Sequence, residues 1–582
     1  MLKARQSRVR TLAIGATLAL CLSGCTSLRE YIENGFKVGP NYCEPPAPVA
    51  EHWIDAADQR VRSQSEDLSR WWTVFQDPVL RSEDSVLNRL VLTAYRQNLS
   101  LGQAGFRILE ARAQLGIAQG ELFPQLQDAT GAYRRQGTSL SAPSGFFSPK
   151  RYFSQWNYGF NLAWELDFWG RFRRAVAAAD AQLDASVEGY DDVLVTLLAD
   201  VAANYVQVRT LQERIKLLEE NVELQKGVLT FVETRFKAGF RVNELDVDQA
   251  KSTLAQTQAA IPQLESDLRQ ANNRLCVLLG IPPEDLRKTI DLWRAIDAGK
   301  TEEVRKKLGI AYIPTVPVEV AVGIPAELLR RRPDLRRAER LAASQCQQIG
   351  IAEAELYPAI SFSGTFGFQA RDFKDLFNSR AFNGSVGPSF QWNLLNYGRI
   401  ANNVRLQDAR FEELVLAYQG TVLQAQAEVE DGVVAFLRAQ ERAKLLDESV
   451  AAAEKAVKIV VAQLDKGAVD FNRYALIEQN LVQQQDLRAQ ARGQIALGLI
   501  QVYRALGGGW QIRLESDEDV PARPATPPAA PATPPVVPAR PLGATKVPDE
   551  APRAPLPEAP EVLEDLGFPP PPGPMPLDPE AA

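Results

Sequence analysis

The fold of this chain is decided by YFSQWNYGFNLAWELDF, residues 152–168. From Trp156 to Phe168, apolar or aromatic residues occupy the even positions, and small or polar residues occupy most of the odd ones. A period of two predicts a β-strand with two distinct faces. A strand that is aromatic on one face and polar on the other suits a wall with lipid outside and water inside. On this segment alone, a half-buried strand of a soluble β-sandwich fits equally well.

The same alternation recurs in residues 360–369 and 386–394, and a weaker version runs from Gln125 to about Arg135. In the two later segments the apolar positions are Ile360, Phe362, Phe366, Phe368, Val386, Phe390, Trp392 and Leu394. Four membrane-spanning strands cannot close a barrel, because the smallest bacterial examples have about eight strands. Lipid does not tolerate the open edges of a sheet. The sequence therefore predicts that several chains contribute strands to one membrane barrel.

Long helical runs follow the strands. Between residues 183 and 236, apolar residues recur at spacings of three and four, a seam of roughly seven heptads that includes Gln225. This pattern predicts one helix from Arg171 to Lys237, about 100 Å long at 1.5 Å per residue. Gly239 can end that helix, and a return helix from Glu244 to about residue 279 would complete an antiparallel hairpin. A cytoskeletal-type coiled-coil dimer is the alternative.

Two motifs occur twice and in the same order. LGIAQGELFP at residues 115–124 is echoed by IGIAEAELYP at 349–358, and WGR at 169–171 by YGR at 397–399. The prolines predict a switch from helix to strand, the first after a helix that runs from about residue 79 to 122. The order indicates an internal duplication in which helix, two strands, long helix and return helix are repeated. The second hairpin would turn at Gly467.

Composition excludes several classes of function. The chain has 582 residues and a net charge of −7, and no basic stripe stands out, so nucleic acid is not expected as a partner. Five cysteines and one histidine form no CxxC motif and no histidine cluster, so no metal site and no cofactor are expected. Glu165 and Asp167 could resemble an acid/base pair on one strand face. We interpret them as lining the water-filled side of the strand or the strand-to-helix joint, and we expect no enzyme activity.

The amino terminus carries a targeting signal. Basic residues precede a short apolar run at 12–22, which predicts a signal peptide over residues 1–24. Leu22-Ser23-Gly24-Cys25 then resembles the lipobox of bacterial lipoproteins, in which Cys25 would be lipidated and become the first mature residue. Thr26-Ser27 lacks the aspartate that retains lipoproteins at the inner membrane, so the resemblance favours the outer membrane. An ordinary signal peptide with a chance cysteine is the alternative.

Residues 25–77 are predicted to form an extended arm that packs its aromatic side chains on the protein surface. Its segments VGPNY at 38–42 and WW at 71–72, together with GIPAELLRRRPDL at 323–335, resemble the TolC-like outer-membrane factors, specifically their OprM/NodT lipoprotein branch. The resemblance covers residues 38 to about 508, and a polar insert at 55–67 interrupts the usual spacing. We interpret Pro333 and Asp334 as a structural helix start.

The resemblance implies a mainly α-helical fold with membrane β-structure. A homotrimer would share a 12-stranded transmembrane β-barrel and build a long coiled-coil α-barrel that extends into the periplasm. Residues 78–280 and 333–508 would be the two repeats, and residues 281–332 a connector. The implied function is the outer-membrane exit duct of a tripartite efflux system for small molecules and drugs. Its partners would be a periplasmic adaptor, an inner-membrane RND-type pump and outer-membrane lipid. A duct for type I protein secretion and a non-transporting coiled-coil envelope scaffold are alternatives.

In the family, the two hairpin tips close the channel on the periplasmic side and meet the adaptor. The residues of this chain that lie in the matching segments are Gly239, Asp246, Gly467, Asp470 and Tyr474. Arg473 is a candidate partner for a carboxylate across the closed tip, with a solvated loop charge as the alternative. We expect a kink at Pro262 in the first return helix.

The carboxyl-terminal tail, residues 515–582, belongs to neither repeat. It holds 21 of the 38 prolines, so it is expected to bury too little apolar surface to fold and to form an extended, polyproline-like spacer.

Overall fold

The computed structural model of the protein describes residues 28–64, 66–75, 86–137, 152–239, 242–286 and 313–514. The predicted lipidation site Cys25 and the tail at 515–582 lie outside these ranges. Among the described residues, none of the helices is both long enough and apolar enough to span a membrane.

The described helices and strands follow the predicted order. The helices are α1 (Leu28–Glu33), α2 (Val86–Gln97), α3 (Leu99–Gly120), α4 (Arg171–Lys237), α5 (Glu244–Leu278), α6 (Leu328–Arg331), α7 (Pro333–Ala354), α8 (Arg399–Asp465) and α9 (Phe471–Ala505). The strands are β1 (Val61–Arg62), β2 (Leu126–Gly137), β3 (Tyr152–Leu166), β4 (Val320–Ala321), β5 (Ala359–Ala370) and β6 (Phe382–Gln391). The lengths of α3, α4 and α5, which are 22, 67 and 35 residues, recur in α7, α8 and α9.

Strands β2, β3, β5 and β6 form one antiparallel sheet in that order. The register opposes Tyr158 to Phe368 and Phe160 to Phe366, so the even-numbered residues of both strands lie on one face. The odd-numbered residues lie on the other face, where Asn161 opposes Thr365. The alternation in the sequence therefore gives one aromatic, apolar face and one polar face across the sheet.

The heptad seam of α4 is buried as its spacing predicts. Its fully or nearly fully buried residues are Leu194, Leu197, Val201, Tyr205, Val208, Leu211, Ile215, Leu218, Val222, Gln225 and Val232. All of them except Val222 and Gln225 belong to one of three successive apolar clusters along the helix, and these clusters together include side chains of α5, α8 and α9. Helix α5 runs unbroken through Pro262.

The extended arm packs its aromatic residues as expected. Trp53, Trp71, Trp72 and Phe75 are buried in the largest apolar cluster, and the Trp71 ring stacks on that of Tyr503 at 5.4 Å. The polar insert at residues 55–67 is also held by backbone pairing, because its strand β1 pairs in parallel with β4 in the connector at residues 281–332. Pro333 begins α7 with Asp334 in its first turn, as the sequence predicts.

Three expectations about boundaries are wrong. The helix predicted from about residue 79 to 122 is divided at Asn98, whose backbone is extended and whose side chain accepts a hydrogen bond from Leu101 N. Strand β6 ends at Gln391, so Trp392 and Leu394 lie beyond it. Asp167 follows β3, so it does not share a strand face with Glu165. Its carboxylate accepts the backbone N–H groups of residues 172 and 173 at the start of α4, which places it at the strand-to-helix joint, the second of the two predicted positions.

Candidate functional site

Two hairpin turns join the long helices to their return helices. Gly239 lies just after α4 with φ +74°, and Gly467 lies just after α8 with φ +69°. These angles fall in the left-handed region, which a residue without a Cβ enters at no steric cost and which commonly ends a helix. The sequence-predicted turn residues therefore occupy the positions that reverse the chain.

Side chains cap both return helices immediately after the turns. At α5, Asn243 accepts from the backbone N–H of Asp246 while the Asp246 carboxylate accepts from the backbone N–H of Asn243, each at 2.9 Å. This reciprocal pair is a capping box. At α9, the Asp470 carboxylate accepts from the backbone N–H of Arg473 at 3.1 Å. Asp246 and Asp470 thus hold helix ends in place.

The two remaining residues predicted at the tip, Arg473 and Tyr474, differ in their exposure to solvent. The Arg473 side chain is exposed and forms no ion pair with any residue in the described ranges. The Tyr474 side chain is only 3% exposed, and its hydroxyl interacts with the carboxyl of Glu478 one turn along the same helix. Burial raises the pKa of Tyr474 and also the pKa of Glu478. Arg473 is therefore available to a partner, whereas Tyr474 belongs to the interior of the tip.

The two hairpins are packed together into one tip. Side chains from all four helices form a single apolar cluster: Val232, Val247, Ala250, Val460, Phe471, Tyr474 and Ala475. On the polar side, the amide of Gln249 in α5 donates to the side-chain oxygen of Asn472 in α9 at 2.8 Å. Movement of one hairpin away from the other would break these contacts.

Arg235, at the end of α4, is a tip residue that sequence reasoning did not single out. Its guanidinium donates to the carbonyl oxygens of Leu464 at 3.0 Å and Asp465 at 2.6 Å, and to the Asp465 carboxylate at 3.1 Å. It also lies over the Phe231 ring at 4.3 Å. In the sequence, only its position four residues before Gly239 marks Arg235 as a tip residue. Its hydrogen-bond partners are about 230 residues away in the chain, so no local pattern could predict them.

A second unpredicted feature is a buried polar group inside the tip. Glu478 is 5% exposed and Gln225, on the seam of α4, is 4% exposed. Gln225 lies on the seam of α4 among apolar residues, and Glu478 is buried in α9. The heptad pattern could have pointed to Gln225, because a polar residue at a core position of a coiled coil often specifies how the helices align.

The joint between sheet and helices is held by two arginines that follow Gly170. Arg174 is 1% exposed and donates to the carbonyl oxygens of Val38 at 2.6 Å, Gly39 at 2.6 Å and Pro40 at 2.8 Å. Arg173 donates to Gly35 O at 2.9 Å, and its Nε donates to the Asp167 carboxylate at 2.8 Å. The VGPNY segment is thus fixed at the point where β3 becomes α4.

A small polar cavity of about 350 Å³ lies at the same joint. Its lining includes Glu165, Asp167, Arg171, Glu355 and Arg399. In the described part of the chain, no group of three or more His, Cys, Asp or Glu side chains is placed to hold a metal ion. The features assembled by the fold are a two-faced sheet, long helices and a packed tip.

Comparison with known proteins identifies the family. The model of the family described as outer membrane efflux protein matches residues 90–281 and 324–508. The pyoverdine export outer membrane protein OpmQ of Pseudomonas aeruginosa is 30% identical over 455 residues, which cover 77% of this chain and 89% of that protein. Nodulation protein T of Rhizobium leguminosarum bv. viciae is 27% identical over 500 residues, covering 85% and 93%.

Solved structures agree with the sequence comparisons. The outer-membrane channel OprN superposes with a TM-score of 0.71 at 30% sequence identity, covering 81% of this chain and 99% of that one. Since the family model spans more than half of the chain and this channel matches its fold, the chain belongs to the outer membrane efflux protein family and is an export channel of the outer membrane.

Proposed function

We propose that three copies of this chain form one exit duct, with 12 strands closed into a β-barrel in the outer membrane and the long helices arranged as a periplasmic tube. Small molecules or drugs would be loaded by an inner-membrane RND-type pump and passed on through a periplasmic adaptor. Lipidated Cys25 would anchor each copy in the membrane. The protein carries out no chemical step in this mechanism; it opens and closes.

The arrangement of the sheet carries the proposal. Strands β2 and β6 are its outer strands, and in the described residues neither has a partner on its outer edge. Unpaired strand edges cannot be left in lipid, because each unsatisfied backbone group there costs several kcal/mol. Pairing β2 of one copy with β6 of the next satisfies both edges. Three copies of four strands give 12, and the polar faces line the bore.

Matching contacts in the two halves support the proposed duplication of residues 78–280 and 333–508. The indole of Trp164 donates to Leu122 O at 3.1 Å, and that of Trp392 donates to Leu356 O at 2.9 Å. Trp164 in β3 and Trp392 just after β6 thus each donate to the helix-to-strand switch of their own half. The Trp169 indole then links the halves by donating to Pro358 O at 2.8 Å.

The gate in this proposal is the tip that contains Gly239, Asp246, Gly467, Asp470, Arg473 and Tyr474. Packing of the two hairpins within one chain leaves the Arg473 guanidinium free of carboxylates in the described ranges, which suits a contact across the closed tip with another copy. The adaptor and pump would open the duct by making contacts that favour separated tips. A solvated surface charge is the competing interpretation of Arg473.

Single-channel recording in planar bilayers tests the gate. We expect Arg473→Glu to raise the conductance of the closed channel, because a carboxylate would repel the carboxylate that Arg473 faces in another copy. Lys455→Glu is the matched control, since Lys455 is an exposed cation of α8 ten residues before its end. Unchanged conductance in the Arg473 variant would remove this residue from the gate.

Mass determination of the lipidated protein in detergent tests the assembly separately. The proposal requires a protein mass three times that of one chain, together with membrane-embedded β-structure. A single subunit without a pore would contradict the shared barrel whatever the gate variants do.

A further inference from the structure

The apolar face of the sheet ends in a cluster of touching aromatic rings at the end away from the helices. Tyr133 meets Trp156 at 4.5 Å, and Trp156 meets Phe373, in the β5–β6 connection, at 5.0 Å. The chain of ring contacts continues through Phe377 and Phe368 to Phe382 with centroids about 6 Å apart. We call these six rings the aromatic belt.

The aromatic belt remains largely open to its surroundings. The side chains of Tyr133, Phe373, Phe377 and Phe382 are between 51% and 65% exposed. Burial of such rings against an apolar phase is favourable by roughly 25 cal/mol per Å². An exposed apolar patch of this kind marks an interaction site. The belt is therefore suited to a partner that is apolar on the side facing the sheet.

Three cations lie next to residues of the belt, Arg135 in the strand register and Lys374 and Arg380 along the chain. Arg135 opposes Ser154 in the register, two residues beyond the pair Tyr133 and Trp156, so it lies on the same face as the belt. Its guanidinium donates to the Ser154 hydroxyl at 3.1 Å, which is 3.2 Å from the Tyr133 hydroxyl. Lys374 and Arg380 lie in the β5–β6 connection, which also carries the belt residues Phe373 and Phe377.

The charges of this edge are not neutralised within the chain. Arg135, Lys374 and Arg380 are exposed and form no ion pair with a residue that the structure describes. The carboxylates of the connection, Asp372 and Asp375, form none there either. Among the described residues, Arg135 and the cations of the β5–β6 connection, Arg371, Lys374 and Arg380, outnumber the carboxylates Asp372 and Asp375, so this part of the edge has a net positive charge beside an apolar surface.

We propose that the aromatic belt together with Arg135, Lys374 and Arg380 binds a phosphate-bearing lipid of the outer leaflet. The rings would pack on its acyl chains and sugar, and the cations would donate hydrogen bonds to its phosphates. This inference rests on the proposed function, in which the apolar face meets lipid. A free phosphate ion would use the cations but would leave the rings uncovered, so the juxtaposition favours a lipid.

The test titrates the full-length, lipidated protein in uncharged detergent with bisphosphorylated lipid A and follows tryptophan fluorescence. The probe for the phosphate contribution is the same acylated disaccharide without phosphates. The variant is Arg135→Gln/Arg380→Gln. Its matched control is Arg134→Gln/Arg371→Gln, because Arg134 opposes Gln155 on the polar face and Arg371 lies over the Phe153 ring of that face.

We expect the first double variant to bind lipid A at least about tenfold more weakly, since each cation near an anionic lipid contributes about fivefold. The control variant should bind like the unchanged protein, and the phosphate-free lipid should bind weakly to all three. Equal binding of both lipids, or equal weakening in both variants, would overturn the inference. Displacement of lipid A by millimolar inorganic phosphate would assign the cations to a free anion and also overturn it.

Conductance keeps this inference separate from the proposed function. Arg135→Gln/Arg380→Gln channels that conduct normally but bind lipid A like the unchanged protein would refute only the lipid site. Absence of a pore in the unchanged protein would count against the shared barrel.

Discussion

The two hairpins of the tip have the same backbone turn but use different side chains around it. Both turn at a glycine with positive φ, and both begin the return helix with a side-chain cap. In the first hairpin the third helical residue is Asp246, which completes a capping box. In the second hairpin it is Arg473, whose side chain takes no part in the cap. Both return helices thus keep a side-chain cap at their first turn, whereas the third helical residue differs between them.

The first helical residue differs as well. Glu244 is exposed, whereas Phe471 is 4% exposed and packs against Tyr474 with ring centroids 5.6 Å apart. The second hairpin therefore supplies the buried aromatic rings of the shared cluster, and the buried residues of the first hairpin are smaller ones such as Val247. The first residue of the return helix is therefore packed in the second hairpin and exposed to solvent in the first.

The largest effect that separates the hairpins is expected from Phe471→Ala. Truncation of a buried phenylalanine costs about 3–5 kcal/mol, and we expect that loss in the local stability of the tip. Hydrogen exchange of residues 228–239 and 464–475 would measure it. Leu476→Ala is the control, because Leu476 is 60% exposed, and it should change exchange little. Similar exchange in both variants would mean that the cluster does not hold the hairpins together.

The next effect concerns the contact between the hairpins. Arg235→Ala removes hydrogen bonds to Leu464 and Asp465, and we expect a loss of about 2 kcal/mol from the packed tip, part of it screened by solvent at the exposed Asp465 carboxylate. Faster proteolysis at the turns would report it. Lys237→Ala, an exposed cation two residues along, serves as the control. Equal proteolysis of the two variants would show that Arg235 does not join the hairpins.

Helix caps should give equal effects in the two hairpins. Asn243→Ala and Asp470→Ala each remove a side chain that accepts a backbone N–H bond, and each should cost about 1 kcal/mol. Arg473→Ala should change stability by less than about 0.5 kcal/mol, because its side chain is exposed. Denaturant titration with a fluorophore at the tip would compare them. A loss from Arg473→Ala as large as that from Asp470→Ala would contradict the assignment.

The smallest expected effect is a pH dependence of tip stability that arises from Glu478 in the second hairpin. Burial raises the pKa of Glu478 above its ordinary value of 4.5, so the folded tip binds this proton more tightly than the unfolded chain does. The tip should therefore be most stable below about pH 4.5 and lose that stability as the pH rises through the folded value. Hydrogen exchange of the tip between pH 4 and 8 would show this trend.

Glu478→Gln supplies the control for that dependence. The glutamine keeps the shape of the side chain and cannot titrate, so its tip should exchange at a rate that changes with pH only as free amides do. A variant that retains the full trend would place the titrating group elsewhere.

Local patterns predicted most of the architecture. The period of two in β3 and β5 assigned the correct residues to the apolar face. The spacing of three and four predicted the long helix α4, and the glycines at 170 and 239 marked its two ends. Such patterns work because burial on one face is a local constraint that each residue type reports by itself. The boundary at Asn98 was missed because its side-chain amide donates to the carbonyl of Leu278, which is 180 residues away.

By itself the sequence determined the two-faced strands, the long helices, the glycine turns and the repeated order of elements, since each depends on residues close together in the chain. Only the tertiary structure decided that Arg235 joins the hairpins, that Arg174 holds the arm, and that Glu478 is buried while Arg473 is not. These outcomes depend on which distant segment lies opposite each side chain. The spacing of residues along one helix does not record that information.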